Sequence, residues 1–375
     1  MAVASLIVSS GAFAQSSVTL YGAIDDGIDY ISNSKGKTYV GMVSGEVMGS
    51  RWGMRGVEDL GGGLSTIFRL ESGYNPNTGK AAQGGAAFGR QAYVGLSSVN
   101  YGAVTLGRQA NAAFDLWSPF TATGSTIGDF SSHPMDNDNA DADYKASNAV
   151  KYVSPLVRGL QVEASYAFSN STAFADNREY SIAGTYTAGS ISGVAAYTRS
   201  DNPSSASNPS GAVSATTAFG FVASSTQNID FGLRWTYSGA NNVALSFSHV
   251  DVYALKDGTI GNNVNGITLS NQNSWKFDNL EINTQYFFTP SLSFAGAYTF
   301  THAGIHGASY SSANWHQAAV MLNYALSKGT SVYAQAAYQH ANDAAATTLG
   351  TDVEGLGRSS SENQVLARLG ILHKF

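Results

Sequence analysis

The chain has no cysteine, only seven prolines and few charged side chains, although it is 375 residues long. The lack of cysteine excludes disulfides and suits an oxidising compartment, in which a stray thiol is a liability. Charged residues make up 12% of the chain, about half of their usual share in a globular domain. With so few prolines, long stretches remain free to pair in β-ladders, because proline lacks the N–H that a ladder needs.

A long hydrophobic run is also missing. No stretch of about 18 consecutive apolar residues occurs, which excludes a transmembrane helix. The formal net charge is −6, from 20 basic and 26 acidic residues, so the basic face that a nucleic-acid partner requires is not expected. What the chain does have is 41 glycines, 20 tyrosines and 18 phenylalanines, at a mean hydropathy of −0.10. This composition is typical of strands that alternate lipid-facing and water-facing residues.

The last twelve residues, 364–375, alternate with period two, which predicts a β-strand with one apolar and one mixed face. The apolar face carries Val365, Ala367, Leu369, Ile371, His373 and Phe375. A membrane barrel finishes in this way, because its last strand pairs with its first and the terminal aromatic ring lies at the lipid–water interface. We therefore predict an all-β fold, a transmembrane antiparallel β-barrel.

The rest of the chain repeats this pattern, first in a period-two strand over 18–30 and next in a candidate strand at 47–59. Short polar turns such as 60–63 and 327–330 alternate with longer polar stretches. The longer stretches are 32–45, 75–86, 111–144, 170–177, 200–228, 255–274, 301–312 and 342–361. Seven short turns and eight long loops join sixteen strands, an even number as single-chain bacterial barrels require. Phe219 and Phe221 also fit an extra strand pair, but no further turn accompanies them, so 212–227 is assigned to a loop.

Aromatic residues lie near the predicted strand ends. They are Tyr21, Tyr30, Tyr74, Tyr152, Tyr166, Phe168, Tyr186, Tyr237, Phe287, Tyr298, Tyr324 and Tyr338. As a set they indicate the two aromatic girdles of a membrane barrel. The alternative is a soluble β-sandwich or solenoid, but the core of such a fold would show more Val, Ile and Leu and fewer tyrosines at strand ends.

The N-terminal segment 4–14 is apolar and ends in Ala12-Phe13-Ala14, the small-residue pattern of a signal-peptide cleavage site. We expect residues 1–14 to be a signal peptide cut before Gln15, although no basic residue precedes the apolar segment. The alternative is a disordered apolar tail. Residues 15–375 are then expected to form a single barrel domain.

Several short motifs follow one another in the order in which they occur in a known family. They include Ser17-Val18-Thr19-Leu20-Tyr21-Gly22, Ser50-Arg51-Trp52-Gly53-Met54-Arg55-Gly56, Leu70-Glu71-Ser72-Gly73-Tyr74, Arg90-Gln91-Ala92-Tyr93, Asn148-Ala149-Val150-Lys151-Tyr152 and His373-Lys374-Phe375. Each motif alone is weak, but the ordered series resembles the general-diffusion porins of Gram-negative bacteria, of the neisserial and β-proteobacterial type.

This resemblance implies a multi-pass protein of the outer membrane that assembles as a homotrimer of sixteen-stranded barrels. It also implies that the third long loop, here 111–144, folds inward to narrow each pore. The implied function is passive diffusion of small hydrophilic solutes and inorganic ions, with anions preferred. The partners implied are outer-membrane lipid, these solutes and ions, and the barrel-assembly machinery, for which Phe375 would be the terminal signal.

A channel needs a water-filled constriction with fixed charges, because rings of charge set ion preference. By strand parity, Arg51, Arg55, Arg69 and Arg90 lie on the non-lipid faces of neighbouring strands, which are spaced about 4.8 Å apart. An arginine that faced lipid at the bilayer midplane would destabilise the barrel by roughly 2–4 kcal/mol. We predict that these four arginines form a basic wall of the pore, joined by Lys145 at a position where relatives often carry arginine.

The alternative is that the arginines only brace the fold by pairing with acids. Arg69 and Glu71 are two residues apart on one face, so they partly neutralise each other, and Arg55 is nearer than Arg51 to the 60–63 turn. Glu71, Asp115 and Asp129 are candidate acidic residues of the constriction. The two aspartates are chosen by their position in the third loop, from which they would oppose the basic wall.

Other groups of ligand-type residues are weaker. The acidic run Asp136, Asp138, Asp141 and Asp143 lacks the glycine and the distal glutamate of an EF-hand loop, so a solvated acidic loop is favoured over a calcium site. His302 and His306, expected in a loop, lack a third zinc ligand. No metal or other cofactor is expected.

Two alternative functions remain open. Outer-membrane proteases and phospholipases are also barrels, and an adhesive or structural barrel would use its long loops to bind a partner. Sixteen strands with an inward loop favour a pore over a barrel enzyme, and no catalytic residue is assigned.

Overall fold

The computed structural model describes residues 16–141, 144–213, 221–255, 274–306, 310–343, 349–353 and 357–375. Most of these residues lie in β-strands that pair into one antiparallel sheet closed on itself. No helix among the described residues is long and apolar enough to cross a bilayer. The expected signal peptide, 1–14, lies outside these ranges.

The residues within these ranges form eighteen strands and two short α-helices. The strands are β1 (Ser17–Ser34), β2 (Lys37–Ser44), β3 (Arg51–Gly61), β4 (Leu64–Asn75), β5 (Lys80–Ala81), β6 (Gln91–Ser98), β7 (Gly102–Gln109), β8 (Ala146–Val153), β9 (Leu160–Ala167), β10 (Arg178–Ala188), β11 (Ile191–Asp201), β12 (Ala223–Ser238), β13 (Asn241–Leu255), β14 (Ser274–Phe287), β15 (Leu292–His306), β16 (Tyr310–Ala325), β17 (Thr330–Asp343) and β18 (Asn363–Lys374). The helices are α1 (Ala112–Leu116) and α2 (Ala122–Ser125), with 3₁₀ turns at Gln83–Gly85, Ser118–Phe120, Gly128–Ser131 and Pro134–Asp136.

These elements make a sixteen-stranded barrel, as the sequence predicted. Strands β2 and β3 both pair with β1, β2 along its C-terminal half and β3 along its N-terminal half, so together they act as one barrel strand. The two-residue β5 pairs with the end of β4, beside the main ladder. The other strands pair in sequence order, and β18 returns to β1.

Side chains alternate along the barrel wall between an exposed outer face and a buried inner face. In β18, Leu369 is 70% exposed on the outer face, whereas its neighbour Arg368 is 2% exposed inside. In β1, Val18 and Ile28 are exposed outside and Asp29 is buried inside. An apolar outer surface suits lipid and a polar inner surface suits water. The period-two predictions for the first and last strands are confirmed.

The closure of the barrel joins the two ends of the domain. Strand β1 pairs with β18 from Ala23, opposite Lys374, to Ile31, opposite Leu366. One step further, Gly22 and Phe375 exchange both backbone hydrogen bonds, at 2.9 and 3.0 Å. The Phe375 ring is half exposed on the outer face, as expected for a terminal girdle aromatic.

The second strand differs from its prediction. The sequence placed a loop at 32–45 and a strand from Val47, but β1 reaches Ser34 and β2 already begins at Lys37. The strand is instead interrupted at 45–50, where the chain leaves the ladder. Strand β2 does carry Val40 and Met42 on its exposed outer face, but these two apolar positions follow a polar turn and are too few for alternation to be recognised in the sequence.

Two other predicted loops are also shorter than expected. Strand β12 begins at Ala223, inside the predicted loop 200–228, and most of 301–312 belongs to β15 and β16. His302 and His306 therefore lie in a strand, not in a loop. Phe221 lies outside any strand, and Phe219 falls outside the described residues.

The third long loop, between β7 and β8, folds into the barrel as predicted. Its path can be followed by its contacts with the inner wall: Asn111 donates to Glu179 of β10 at 3.1 Å, and the N–H of Ala122 donates to Glu281 of β14 at 2.8 Å. Farther along, Gln317 of β16 donates to the carbonyl of Phe130 at 3.1 Å. The loop thus crosses the lumen between distant strands and narrows it.

Candidate functional site

A cluster of arginines on the inner wall is organised around one carboxylate, Glu71. Arg69 and Arg90 contact it at 2.7 and 2.8 Å, and Arg51 at 3.7 Å. Glu71 and Arg69 lie on β4, and register places Gly53 of β3 opposite Glu71. Because this facing residue is glycine, it leaves room for the Tyr21 side chain, whose hydroxyl would lie 2.9 Å from a Cβ built there. We call Arg51, Arg69, Arg90 and Glu71 the arginine cluster.

Arg90 reaches this cluster by a route that strand parity does not explain. It precedes β6, whose exposed Val94 and Leu96 share its parity and face outward. The Arg90 side chain nevertheless turns inward. The backbone N–H of Arg90 donates to the backbone carbonyl of Glu71 at 3.2 Å. The Arg90 side chain therefore lies on the inner face, as predicted. The irregular backbone before β6 places it there, and strand alternation does not.

Arg55 is separated from the arginine cluster by Tyr21. Its guanidinium lies over the Tyr21 ring, 5.5 Å from the centroid, and that of Arg69 lies at 5.2 Å. The Tyr21 hydroxyl donates to Glu71 at 2.8 Å and accepts from Arg69 at 2.6 Å. The sequence assigned Tyr21 to an aromatic girdle and not to the site, which is wrong: its side chain lies on the inner wall and fixes two guanidiniums and the shared carboxylate.

The arginine cluster carries excess positive charge. Three guanidiniums surround one carboxylate, so with all four groups ionised the net charge is +2, three positive minus one negative. The Glu71 side chain is 1% exposed, whereas those of Arg51, Arg69 and Arg90 are 20, 30 and 19% exposed. The negative charge is therefore buried in the wall while positive charge reaches the lumen. The ion pairs to Glu71 are those of the bracing alternative, and the role of the arginines as a basic pore wall stays a prediction.

Lys145 lies at the end of the third loop, just before β8. Its ammonium is 4.6 Å from the centroid of the Phe114 ring. Burial, followed by the positive charge of nearby Arg90, lowers the pKa of Lys145 to about 7. The charge of Lys145 therefore depends on pH near neutrality, and its place in the basic wall stays a prediction.

The two predicted loop acids occupy different places. Asp115, in α1, forms an ion pair with Lys151 of β8, so its charge is largely compensated. Asp129 lies half-buried in the Gly128–Ser131 turn, and its N–H donates to the carbonyl of Glu46 at 2.7 Å. Their role as an acidic wall facing the arginine cluster stays a prediction.

A second polar network, which the sequence did not reveal, fastens the tip of the third loop. His133 lies between Asp138, at 2.6 Å, and Glu281 of β14, at 3.4 Å. Burial alone would lower the pKa of His133, but these two carboxylates outweigh it and raise the pKa well above its usual value. The imidazolium therefore joins the loop to the wall. Only folding brings Glu281 to this histidine, so spacing gave no signal.

A third network lies beneath the closure of the barrel. Arg368 of β18 contacts Asp29 at 2.6 Å and Asp25 at 3.7 Å, and it donates to the Tyr333 hydroxyl at 2.8 Å. All three charged side chains are fully buried. Asp29 and Arg368 are 339 positions apart, so only barrel closure unites them.

In the part of the chain that the structure describes, no three His, Asp or Glu side chains are arranged to hold a metal ion. His302 instead contacts the side chain of Asn314 at 2.7 Å. Asp143, the last residue of the acidic run, lies outside the described residues.

Comparison with known proteins agrees with this geometry. A family model described as Gram-negative porin matches residues 2–344. An outer membrane porin protein of Bordetella pertussis is 38% identical over 183 residues, which cover 45% of this chain and 47% of that protein, about half its length. Outer membrane porin protein 32 of Delftia acidovorans is 29% identical over 388 residues, covering 100% of this chain and 99% of that protein.

Solved structures show the same barrel. An anion-selective porin from Comamonas acidovorans superposes with a TM-score of 0.72 at 22% identity, covering 96% of this chain and 100% of that one. The trimer form of OmpT, an outer membrane protein of Vibrio cholerae, gives a TM-score of 0.64 at 16% identity, with 96% and 99% covered. At such identities these likenesses concern the fold alone.

Proposed function

This chain belongs to the Gram-negative porin family of the outer membrane, and on that premise we propose that small hydrophilic solutes and ions diffuse passively through its lumen, with anions preferred. The observation that supports this preference is the net positive arginine cluster on the inner wall. Charge fixed beside a narrow, low-dielectric constriction raises the local concentration of counter-ions. Arg51, Arg69 and Arg90 attract anions, and Lys145 adds to their positive charge. Glu71 holds the three guanidiniums in place.

A planar bilayer containing the purified protein tests this proposal. Under a KCl gradient, the reversal potential should have the sign of a channel that passes chloride more readily than potassium. A conducting channel with a reversal potential of the opposite sign would refute the anion preference. A folded protein that passes no current would refute the channel itself.

The charge on Lys145 makes a pH dependence testable. Its pKa of about 7 means that the ammonium is charged at lower pH and neutral at higher pH. Raising the pH from about 6 to about 8 should therefore lower the chloride-to-potassium permeability ratio, by roughly 1.5-fold. K145Q is the matched control, and its permeability ratio should not change over this pH range. An equal change in wild type and K145Q would assign the titration to another group.

We propose further that the chain assembles as a homotrimer in outer-membrane lipid, that Phe375 is the terminal signal read by the barrel-assembly machinery, and that 1–14 is a signal peptide. The trimer proposal draws on the family and on the trimer form of the Vibrio protein. The half-exposed Phe375 ring at the closure supports the assembly proposal. The relatives named above are porins, which places diffusion ahead of the enzyme and adhesive alternatives.

A further inference from the structure

Two arginines at the ends of β10 and β11 share one carboxylate. Arg178 of β10 donates from Nε to Asp201 of β11 at 2.8 Å, and Arg199 of β11 donates from Nε to the other oxygen of this carboxylate at 3.0 Å. Arg178 is the direct cross-strand partner of Asp201, and Arg199 lies two positions before Asp201 on the same face of β11. We call Arg178, Arg199 and Asp201 the outer arginine site.

The outer arginine site faces away from the lumen. The residues that adjoin it in sequence, Glu179 and Ser200, are buried on the inner wall, where the Ser200 hydroxyl donates to the Glu179 carboxylate at 3.0 Å. Because successive side chains of a strand point to opposite faces, Arg178 and Arg199 lie on the outer surface. Ile182 is on the same face of β10 and is 53% exposed. The arginine cluster of the pore and the outer arginine site are therefore on opposite sides of the barrel wall.

Two tyrosines indicate how deep the outer arginine site lies in the membrane. Tyr180 and Tyr197 are the next outward-facing residues of β10 and β11, and their ring centroids are 6.4 Å apart. Tyrosines of a membrane barrel collect at the level of the lipid headgroups. A short turn joins β10 to β11 at their far ends, whereas the long connections adjoin the arginines. Since long loops of such barrels are extracellular, the site lies among the headgroups of the outer leaflet.

The outer arginine site presents positive charge to its surroundings. Two guanidiniums and one carboxylate have a net charge of +1, two positive minus one negative. The Asp201 side chain is 11% exposed, whereas those of Arg178 and Arg199 are 31 and 33% exposed. A guanidinium has five N–H donors, and the hydrogen bonds to Asp201 use one from each arginine. Asp201 therefore orients both arginines and leaves most of their donors for an external anion.

We propose that the outer arginine site binds a phosphate group on the headgroup of an outer-leaflet lipid, with Asp201 as its positioning residue. Planar guanidiniums pair with phosphate oxygens through two parallel hydrogen bonds, which a single point charge cannot do. Free phosphate in water offers the same oxygens, but the outward orientation of the site next to the two tyrosines fits a phosphate carried by a lipid. This inference concerns the outer surface and goes beyond the proposed passage of solutes through the lumen.

Native mass spectrometry of the detergent-solubilised protein, titrated with diphosphorylated lipid A, is the direct test. R178Q/R199Q should bind this phosphoglycolipid about tenfold more weakly than wild type. R158Q/K328Q is the matched control, because it removes two exposed positive charges from the short turns at the other end of the barrel, and it should bind as wild type does. Wild-type affinity in R178Q/R199Q would overturn the proposal. Equally tight binding of dephosphorylated lipid A to the wild type would also overturn it.

Competition with inorganic phosphate identifies the source of the phosphate group. A large excess of inorganic phosphate should leave the lipid bound to the wild-type protein, because the site faces the membrane and the acyl chains of the lipid contact the apolar band beside it. Displacement of the lipid would show that the site takes free anions from water, and would overturn the assignment to a lipid.

A lysine variant decides the matter if R178Q/R199Q does not fold. R178K/R199K keeps both positive charges beside Asp201 but loses the planar fork of each guanidinium. Its affinity for diphosphorylated lipid A should fall by about threefold or more. A lysine variant that binds the lipid as tightly as wild type would overturn the proposal.

Conductance in a planar bilayer separates this site from the pore. Both variants should conduct as wild type does, because Arg178 and Arg199 lie outside the lumen, and this result would also show that the barrels are folded. A changed conductance together with unchanged lipid affinity would place the two arginines at the pore and overturn the proposal.

Discussion

Replacing Arg51, Arg69 and Arg90 together by glutamine is expected to abolish the anion preference of the channel. The substitution changes the arginine cluster from a net charge of +2 to −1, because only Glu71 remains charged. The chloride-to-potassium permeability ratio should fall by about fivefold or more, since the fixed charge at the wall changes sign. The measurement is the reversal potential in a KCl gradient.

Two variants control for this result. The same triple variant with E71Q has no charge in the cluster and should give a ratio between that of the triple variant and that of wild type. R178Q removes an arginine that pairs with Asp201 instead of Glu71, at 2.8 Å, and should change the ratio little. If the triple variant folds and keeps the wild-type ratio, another part of the pore selects ions.

Substitution of Arg368 by methionine is expected to cause the largest loss of stability. It removes the cation that compensates Asp29 and Asp25, and all three side chains are fully buried. Leaving a buried charge without its partner typically costs about 3–5 kcal/mol. The midpoint of urea unfolding, followed by the shift between folded and unfolded bands on a gel, should therefore fall steeply.

The double variant R368M/D29N distinguishes charge from packing. It removes both members of the 2.6 Å ion pair, so it should recover part of the stability lost in R368M. Equal losses in the single and double variants would show that the Arg368 side chain contributes by packing and not by its charge. Conductance of the surviving folded fraction should remain near that of wild type, because Arg368 is sealed from the lumen.

The sequence predicts best where lipid dictates the side chains. Alternation located β1 and β18, and it placed Arg51 and Arg69 on the inner face, because an outer face in hydrocarbon admits few polar residues. The same reasoning failed for β2, in which only Val40 and Met42 mark the outer face before the strand is interrupted. Alternation also assigned Arg90 to the inner face, which is where its side chain lies. The reason was wrong, because Arg90 precedes the first residue of β6.

Contacts between distant segments were beyond the reach of the sequence. Glu71 was recognised as a partner of Arg69 because two positions separate them in one strand. Nothing in the spacing linked Asp29 with Arg368, or Glu281 with His133, since barrel closure and loop insertion create those pairs. The interruption of the second barrel strand at 45–50 escaped for a related reason: these six residues resemble an ordinary polar turn until the register of β1 shows that only two residues face them.

The mutual hydrogen bonds of Gly22 and Phe375 have a consequence for biosynthesis. The barrel is closed by pairing between residues at opposite ends of the domain. A nascent polypeptide that lacks its final segment therefore has two unpaired sheet edges. Such edges recruit foreign strands and invite aggregation. Production of this protein therefore depends on keeping an unclosed intermediate apart from its neighbours until translation is finished. Prematurely terminated copies should be cleared by proteolysis instead of accumulating as smaller pores.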